Sequence, residues 1–273
     1  MIRRELRAAE RAQNWISKIP ITSGSLESQL LVLLALNAAA VINPKLRKRV
    51  ESATRNIGMH LPPCTLSQYR GDPTLAMAVQ ALLIKVGVEQ ADLQSFASAY
   101  AEALNLSKTA PGPELALVAL LVRSCGFEVL EPLTQPFVLA SATELMTADR
   151  KQILETCRLI AMLTGCGTRH VQVGDLPLVL PSLCISYAAD WDLEVVCTLL
   201  RTNVYLGTMP HPACRWALEW LLDQQQDNGC FGLFAPEARH SGRDPNSWQL
   251  YFHPTVSALF SITETIKTGF LIG

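Results

Sequence analysis

Six carboxylates and one imidazole recur at similar points in successive stretches of this chain: Glu27, Asp72, Glu114, Asp149, the pair Asp190 and Asp192, and His253. Each stands at or near the start of an apolar run with helical spacing. Tyr69, Arg70, Arg150, Trp191 and Tyr251 lie within a turn of them. Carboxylates crowded at one mouth repel each other, which raises their pKa values towards neutrality, the condition for general acid–base work. Asp190, Asp192 and His253, with Asp72 and Glu114 on a facing wall, are the catalytic candidates for proton transfer. Trp191, Tyr251 and Tyr69 are suited to shield a cation or stack on an apolar substrate. Arg70 and Arg150 are suited to hold a sulfate, phosphate or carboxylate group. The same residues have a plainer use, because acids near a helix N-terminus complement its dipole and cap free N–H groups. His253 is equally a satisfied structural histidine. Two carboxylates and an imidazole can also hold a divalent metal, but the expected arrangement is a proton-sharing cluster with neither metal nor cofactor.

Positioning such groups falls to a set of repeated elements. Five segments begin at a turn and continue in small and aliphatic residues at helical period: "SGSLESQLLVLLALNAAAV", "GDPTLAMAVQALLIKVG", "GPELALVALLVRSCG", "DWDLEVVCTLLRTNVYLG" and "HPTVSALFSITETIKTG". A sixth, "TADRKQILETCRLIAMLTGCG", has a charged first turn. Taking Glu27, Thr74, Glu114, Ile153, Leu193 and Thr255 as equivalent points, the spacings are 47, 40, 39, 40 and 62 residues. A period of about forty residues marks a repeat architecture. Amphipathic segments lie between the apolar ones, among them "RRELRAAERAQNWISKI" with Leu6, Ala9, Gln13 and Ile16 along one stripe, and "HPACRWALEWLLDQQQ". The intervening helix expected between Val171 and Ala189 is interrupted by Pro177 and Pro181. Strand signals such as "FEVLEPL" and "HVQVGDLPLVL" are brief.

A helix apolar all round is buried, and one with a polar face lies outside. Six of each in alternation predict an all-α (α/α)6 toroid, six hairpins in a single domain over 1–273, against an irregular bundle or open solenoid as alternatives. The N-terminal helix would supply the outer partner of the last inner helix, since "AERAQNWI" resembles "ACRWALEWL". The polar stretch 235–249 is expected as a surface loop inserted beside the mouth, a lid or a partner contact.

The chain has 273 residues, 49% hydrophobic and 17% charged, with formal net charge −1. Disorder is excluded by that balance, and no basic field exists to hold nucleic acid or an anionic membrane. The longest apolar run, Leu30 to Ile42, is too short for a bilayer crossing of roughly 20 residues. No apolar signal segment follows the charged N-terminus, so a cytoplasmic address is expected. Eight cysteines are scattered without paired spacing and read as reduced, buried hydrophobes. The cluster "CGTRH", Cys166 to His170, is a loop or, with further partners, a metal site. No P-loop, dinucleotide-binding glycine pattern, G-x-S-x-G elbow or H-E-x-x-H occurs.

"WLLDQQQDNGCFGLF", followed after an insertion by "YFHPTVSALFSI", resembles a repeat of the terpenoid cyclase and protein prenyltransferase toroids over about 50 residues, Ala213 to Ile262. There an outer helix ends in Gln-rich sequence, a D-G-aromatic turn follows, and an inner helix begins near Thr-x-x-Ala-Leu. The turn needs Gly229 to reverse the chain, with Phe231 and Phe234 packing under the neighbouring hairpin. The resemblance implies a toroid fold more than an activity. Against the D-x-D-D of class II cyclases this chain has "DWDL", without the last acid. Against the zinc-binding Asp-x-Cys of the prenyltransferases it has Asp190-Trp191-Asp192, with the histidine position read as His253. Asp192 in place of the softer thiolate departs from a zinc site. The implied function is a small-molecule biosynthetic enzyme or enzyme subunit with cyclase-type acid–base catalysis. The alternative is a non-catalytic toroid scaffold or accessory subunit binding a partner protein, as a homo- or hetero-oligomer. A glycosidase or lyase is a third reading, weakened by the 7% aromatic content.

Overall fold

The computed structural model describes residues 2–19, 91–106, 139–232 and 247–267, with isolated positions between 48 and 128 and between 239 and 244. Regular structure among these residues is helical, apart from an isolated antiparallel bridge between Gln225 and Phe231. The helices are α1 (Ile2–Ile16), α2 (Ala91–Leu106), α3 (Ala142–Met146), α4 (Arg150–Leu163), α5 (Leu176–Ala189), α6 (Leu193–Tyr205), α7 (Pro212–Asp223) and α8 (Trp248–Lys267). None of them is long and apolar enough to cross a membrane. The sequence pattern treats 1–273 as a single domain, whereas the contacts gather into two compact units, Met1–Ser23 with Leu139–Gly273, and Gly24–Val138.

In the unit Gly24–Val138, α2 buries Phe96, Ala97, Ala101 and Leu104. The Phe96 and Tyr100 rings meet one turn apart, 4.9 Å between centroids. The buried Gln80 amide donates to Gln94 Oε1 at 2.7 Å, and the Cys125 thiol to the Met77 carbonyl at 3.5 Å. Most of the first three apolar repeat segments lies outside the described residues.

The other unit is organised around α6. This helix packs against α4, α5, α7 and α8, and it buries Val195, Val196, Cys197, Leu199, Leu200, Thr202, Asn203, Val204 and Tyr205. It therefore touches its neighbours α5 and α7 and, beyond them, α4 and α8, as alternation of apolar and amphipathic segments demands. Its polar side chains are satisfied locally: Asn203 Nδ2 donates to the Leu199 carbonyl at 2.9 Å, and Thr202 Oγ1 to Thr198 at 2.9 Å. Arg201 grips Glu264 of α8 with two hydrogen bonds, 2.9 and 3.1 Å, and Tyr205 completes the cluster by donating to the same carboxylate at 2.7 Å. Burial, reinforced by Glu264, pushes the Tyr205 hydroxyl well above its ordinary pKa, so it stays a donor.

Two helix boundaries correct the sequence reading. Pro177 and Pro181 do not break α5, which runs from Leu176 to Ala189. Pro177 sits in the first turn, where no N–H is required, and Pro181 removes a single intrahelical bond that burial of its ring offsets. Likewise α8 starts at Trp248, so Trp248 and Gln249 are helical rather than part of a loop, and Pro254 lies inside the helix. Of the rest of the 235–249 insertion the structure describes Arg239, His240, Gly242, Asp244 and Ser247, the first two helical, and Phe234 lies outside the described residues.

α1 packs on α8, the pairing that the resemblance between "AERAQNWI" and "ACRWALEWL" anticipates. Its buried face is Glu5, Ala8, Ala9, Ala12, Gln13 and Ile16, one position earlier at its start than the expected stripe, with Leu6 only half-buried. Three alanines allow close approach to the Asp227–Gly232 turn. Gln225 Nε2 donates to the Ala8 carbonyl at 2.8 Å, and Arg11 Nη2 to the Gln226 carbonyl at 2.6 Å. Gly229 has φ +99°, and a Cβ there would stand 2.5 Å from the Arg11 carbonyl oxygen. Phe231 is fully buried, and its N–H donates to Thr255 Oγ1 of α8 at 2.9 Å.

Two outcomes follow for α1. Gly229→Ala forces both a left-handed non-glycine backbone and a backbone collision, and should lower stability in urea denaturation by more than about 2 kcal/mol. Glu5 is 0% exposed and neither carboxyl oxygen has a hydrogen-bond partner among the described residues. Burial raises its pKa above the ordinary 4.5, against the lowering by Arg4, and Glu219 adds to the rise. The folded chain thus keeps a proton that the unfolded chain releases, and stability falls as pH rises from about 4.5 through the folded value. Glu5→Gln should flatten that loss and raise the melting temperature at pH 8 relative to wild type.

Candidate functional site

A cavity of about 400 Å3 opens where α5 passes into α6, lined by Arg150, Asp190, Trp191, Asp192, Leu193, Glu194, Trp220, Gln224, Gly232, Leu250 and Pro254. Its central feature is the connection Asp190-Trp191-Asp192. α5 ends with Asp190 as its C-terminal cap; the Trp191 N–H then donates to the Ala188 carbonyl at 3.2 Å and the Asp192 N–H to the Tyr187 carbonyl at 3.0 Å. This is the Schellman closure, whose left-handed position glycine usually takes. Here tryptophan takes it, with φ +59°. An L-residue in that conformation costs about 1 kcal/mol. The indole so placed is 57% exposed and meets Trp220 of α7 at 6.1 Å and 72°, edge against face.

One residue on, Asp192 caps α6 by accepting from the Val195 N–H at 3.2 Å. The same carboxylate accepts from Arg150 Nε at 2.6 Å and Nη2 at 3.5 Å, and Arg150 Nη2 also donates to Glu194. These hydrogen bonds to two acids hold the guanidinium firmly in its charged form. Asp149, one residue before Arg150, caps α4 through a reciprocal pair of bonds with Gln152, 2.8 and 3.0 Å. Capping is thus what Asp149 and Asp192 do. The Asp190 carboxylate, by contrast, makes no hydrogen bond or ion pair to a described residue. Burial raises the pKa of the neighbouring Tyr187 hydroxyl, and Asp192, Asp190 and Asp149 raise it further against Arg150.

The structure brings together Asp190, Trp191, Asp192 and Arg150 of the sequence candidates. His253 stays apart: it lies within α8 rather than opening it, is exposed, and packs its ring on Phe252 at 5.2 Å. Tyr251 is buried under Gly232, where a Cβ would lie 3.3 Å from its ring, and its hydroxyl has no partner among the described residues. Asp72, Glu114, Arg70 and Tyr69 lie outside the described residues. Among the described residues no three metal-binding side chains gather, and Cys166 to His170 is a turn in which Cys166 has φ +54°.

Sequence reasoning missed Glu194, Trp220, Gln224, Leu250 and Pro254 as lining residues. Trp220 and Gln224 are four apart at the end of α7, a spacing that puts both on one face. Pro254 carries a legible signal as well: it has no N–H, so the Leu250 carbonyl one turn earlier lacks its ordinary helical donor. No protein-family model, curated protein or solved structure matches the chain.

The two roles of Asp192 separate by substitution. Asparagine caps as well as aspartate, whereas alanine does not. Asp192→Ala should lower stability by about 1 kcal/mol. Asp192→Asn should cost less than that, because it loses only a partly exposed ion pair, 48% and 23% exposed on its two sides. Urea midpoints for the two variants check the order, and equal losses would remove the capping role.

Proposed function

We propose that the chain is an enzyme, or the catalytic subunit of one, in small-molecule biosynthesis, closing a ring in its substrate by acid–base catalysis without a nucleotide cofactor. The observation that carries this reading is Asp190, a carboxylate on the pocket wall with no partner among the described residues, beside two indoles and an acid pair held by Arg150. A carboxylate not engaged by another side chain is free to take a proton from one substrate atom and return it to another. Asp192 and Glu194, clamped by Arg150, supply fixed charge around it.

The same reading takes the hairpins as part of an (α/α)6 toroid. Support comes from the contacts of α6 with α4 and α8, from α1 lying on α8, and from the "DQQQDNGCFG" turn seated against α1. A cytoplasmic setting belongs to it too, because free thiols such as those of Cys157, Cys184, Cys197 and Cys214 persist in a reducing compartment.

Three observations favour the accessory-subunit reading. Asp192 is engaged by a cap and an ion pair, His253 is outside the lining, and the outer face of α5 exposes Leu178 and Ile185 on a helix without a charged residue. A single experiment separates the two. Purified wild type and Asp190→Asn are incubated with the small-molecule fraction of the source cells and followed by liquid chromatography and mass spectrometry. Ring closure by proton transfer is an isomerisation, so a precursor should fall as a product of equal mass rises. Loss of the general acid or base should slow this at least about 100-fold. Equal rates in the two proteins would sink the catalytic reading. Absence of any conversion, with a second protein co-purifying in stoichiometric amount, would put the accessory reading in its place.

A further inference from the structure

The pocket at the α5–α6 connection has a chemistry of its own, apart from what reaction it serves. Three carboxylates line it, Asp190, Asp192 and Glu194, against a single guanidinium. That guanidinium is consumed: Arg150 donates through Nε and Nη2 to Asp192 and through Nη2 to Glu194. An anionic ligand would have to displace one of these acids from Arg150 and would then face Asp190. The wall also carries neutral donors, the indole N–H groups of Trp191 and Trp220 and the Gln224 amide, which donates to the Trp220 carbonyl at 3.2 Å, but no second cation among the described residues. Asp190 has no partner among the described residues, and the Leu250 carbonyl lacks the helical donor that Pro254 cannot supply. The apolar walls are Trp191 and Trp220, whose planes stand at 72° with centroids 6.1 Å apart, so the two indoles form a corner. A corner of aromatic faces backed by a carboxylate is the arrangement that stabilises an ammonium ion with its hydrogens or methyl groups against the rings.

Trp191 also occupies a position where glycine would be easier, at φ +59°, with 57% of its surface exposed. The edge-to-face contact with Trp220 offsets part of that strain, and more than half of the Trp191 surface is left exposed and able to meet a ligand. We infer that this pocket binds an organic ammonium, seated in the Trp191–Trp220 corner with Asp190 as its counter-ion. A volume of about 400 Å3 admits a small amine-bearing molecule. The inference rests on the proposed function in taking this pocket as the substrate site, and it names the substrate class as cationic.

Choline serves as the probe, with 3,3-dimethylbutan-1-ol as its uncharged isostere and 3,3-dimethylbutanoate as the anionic one. Isothermal titration of the full chain should show saturable binding of choline, binding of the alcohol at least about ten-fold weaker, and none of the acid, since the discrimination rests on charge. Asp190→Asn and Trp191→Gly should each weaken choline about ten-fold, the latter without lowering the melting temperature because glycine suits the left-handed position. Trp216→Ala, an exposed indole of α7 that does not line the pocket, should bind as wild type. Equal affinity for the alcohol, preference for the acid, failure of choline to bind, or wild-type binding by both pocket variants would each overturn the inference. Choline binding as expected with full turnover in Asp190→Asn removes the ring-closing reading and leaves the cation site standing. Loss of turnover in Asp190→Asn with no preference for the cation does the reverse.

Discussion

A helix packed against four others must find partners for its polar groups inside the protein, and α6 is built around that constraint. Its hydroxyls and the Asn203 amide turn back onto carbonyls of their own helix, and Asn203 also accepts from Thr208 just beyond its end at 2.5 Å. The one charged side chain in the middle of the helix, Arg201, is answered by Glu264 and Tyr205 and by the Phe260 ring at 5.3 Å. With its flanks occupied, α6 presents chemistry only at its ends. The N-terminal end is where Asp192, Leu193 and Glu194 meet the pocket.

Helix capping and pocket building are therefore one problem in this chain. The three-residue connection from α5 to α6 must close one helix and open the next, which places Asp190 and Asp192 on either side of a left-handed residue. Asp192 serves the fold through Val195 N–H and Arg150. Asp190 has no such duty, and Trp191 carries a backbone strain for which packing against Trp220 is only partial return. Groups without a structural reason, concentrated in a cavity, are the physical basis for reading the connection as functional.

A second constraint acts at the other end of α7. The Asp227–Gly232 turn lies so close to α1 that Gly229 touches the Arg11 carbonyl, while Phe231 is tied to Thr255 of α8. One turn thereby links the N-terminal helix to the last one, and Gly232 and Pro254 carry the same region into the pocket wall. The buried Glu5, unpartnered among the described residues, sits in this same α1 face, a cost that the packing of Ala8, Ala9, Ala12 and Ile16 outweighs.

By itself the sequence determined the helical class, the alternation of buried and half-exposed helices, the caps at Asp149 and Asp192, and the glycine turn that receives α1. Each of these depends on local spacing or on one residue's backbone preference, which a linear reading carries. It also singled out Asp190, Trp191, Asp192 and Arg150, because acids and aromatics at a helix start are visible as a string. Only the tertiary structure decided that Arg150 spends its charge on Asp192 and Glu194, since that pairing spans more than forty positions in the chain. Only it showed Trp220 beside Trp191, and His253 carried away from the pocket by a helix that begins at Trp248 and runs through Pro254. A proline reads locally as a helix start, and packing of the α8 flank overrides that preference because the loss of one hydrogen bond is smaller than the apolar surface of Tyr251 and Phe252 that the longer helix buries.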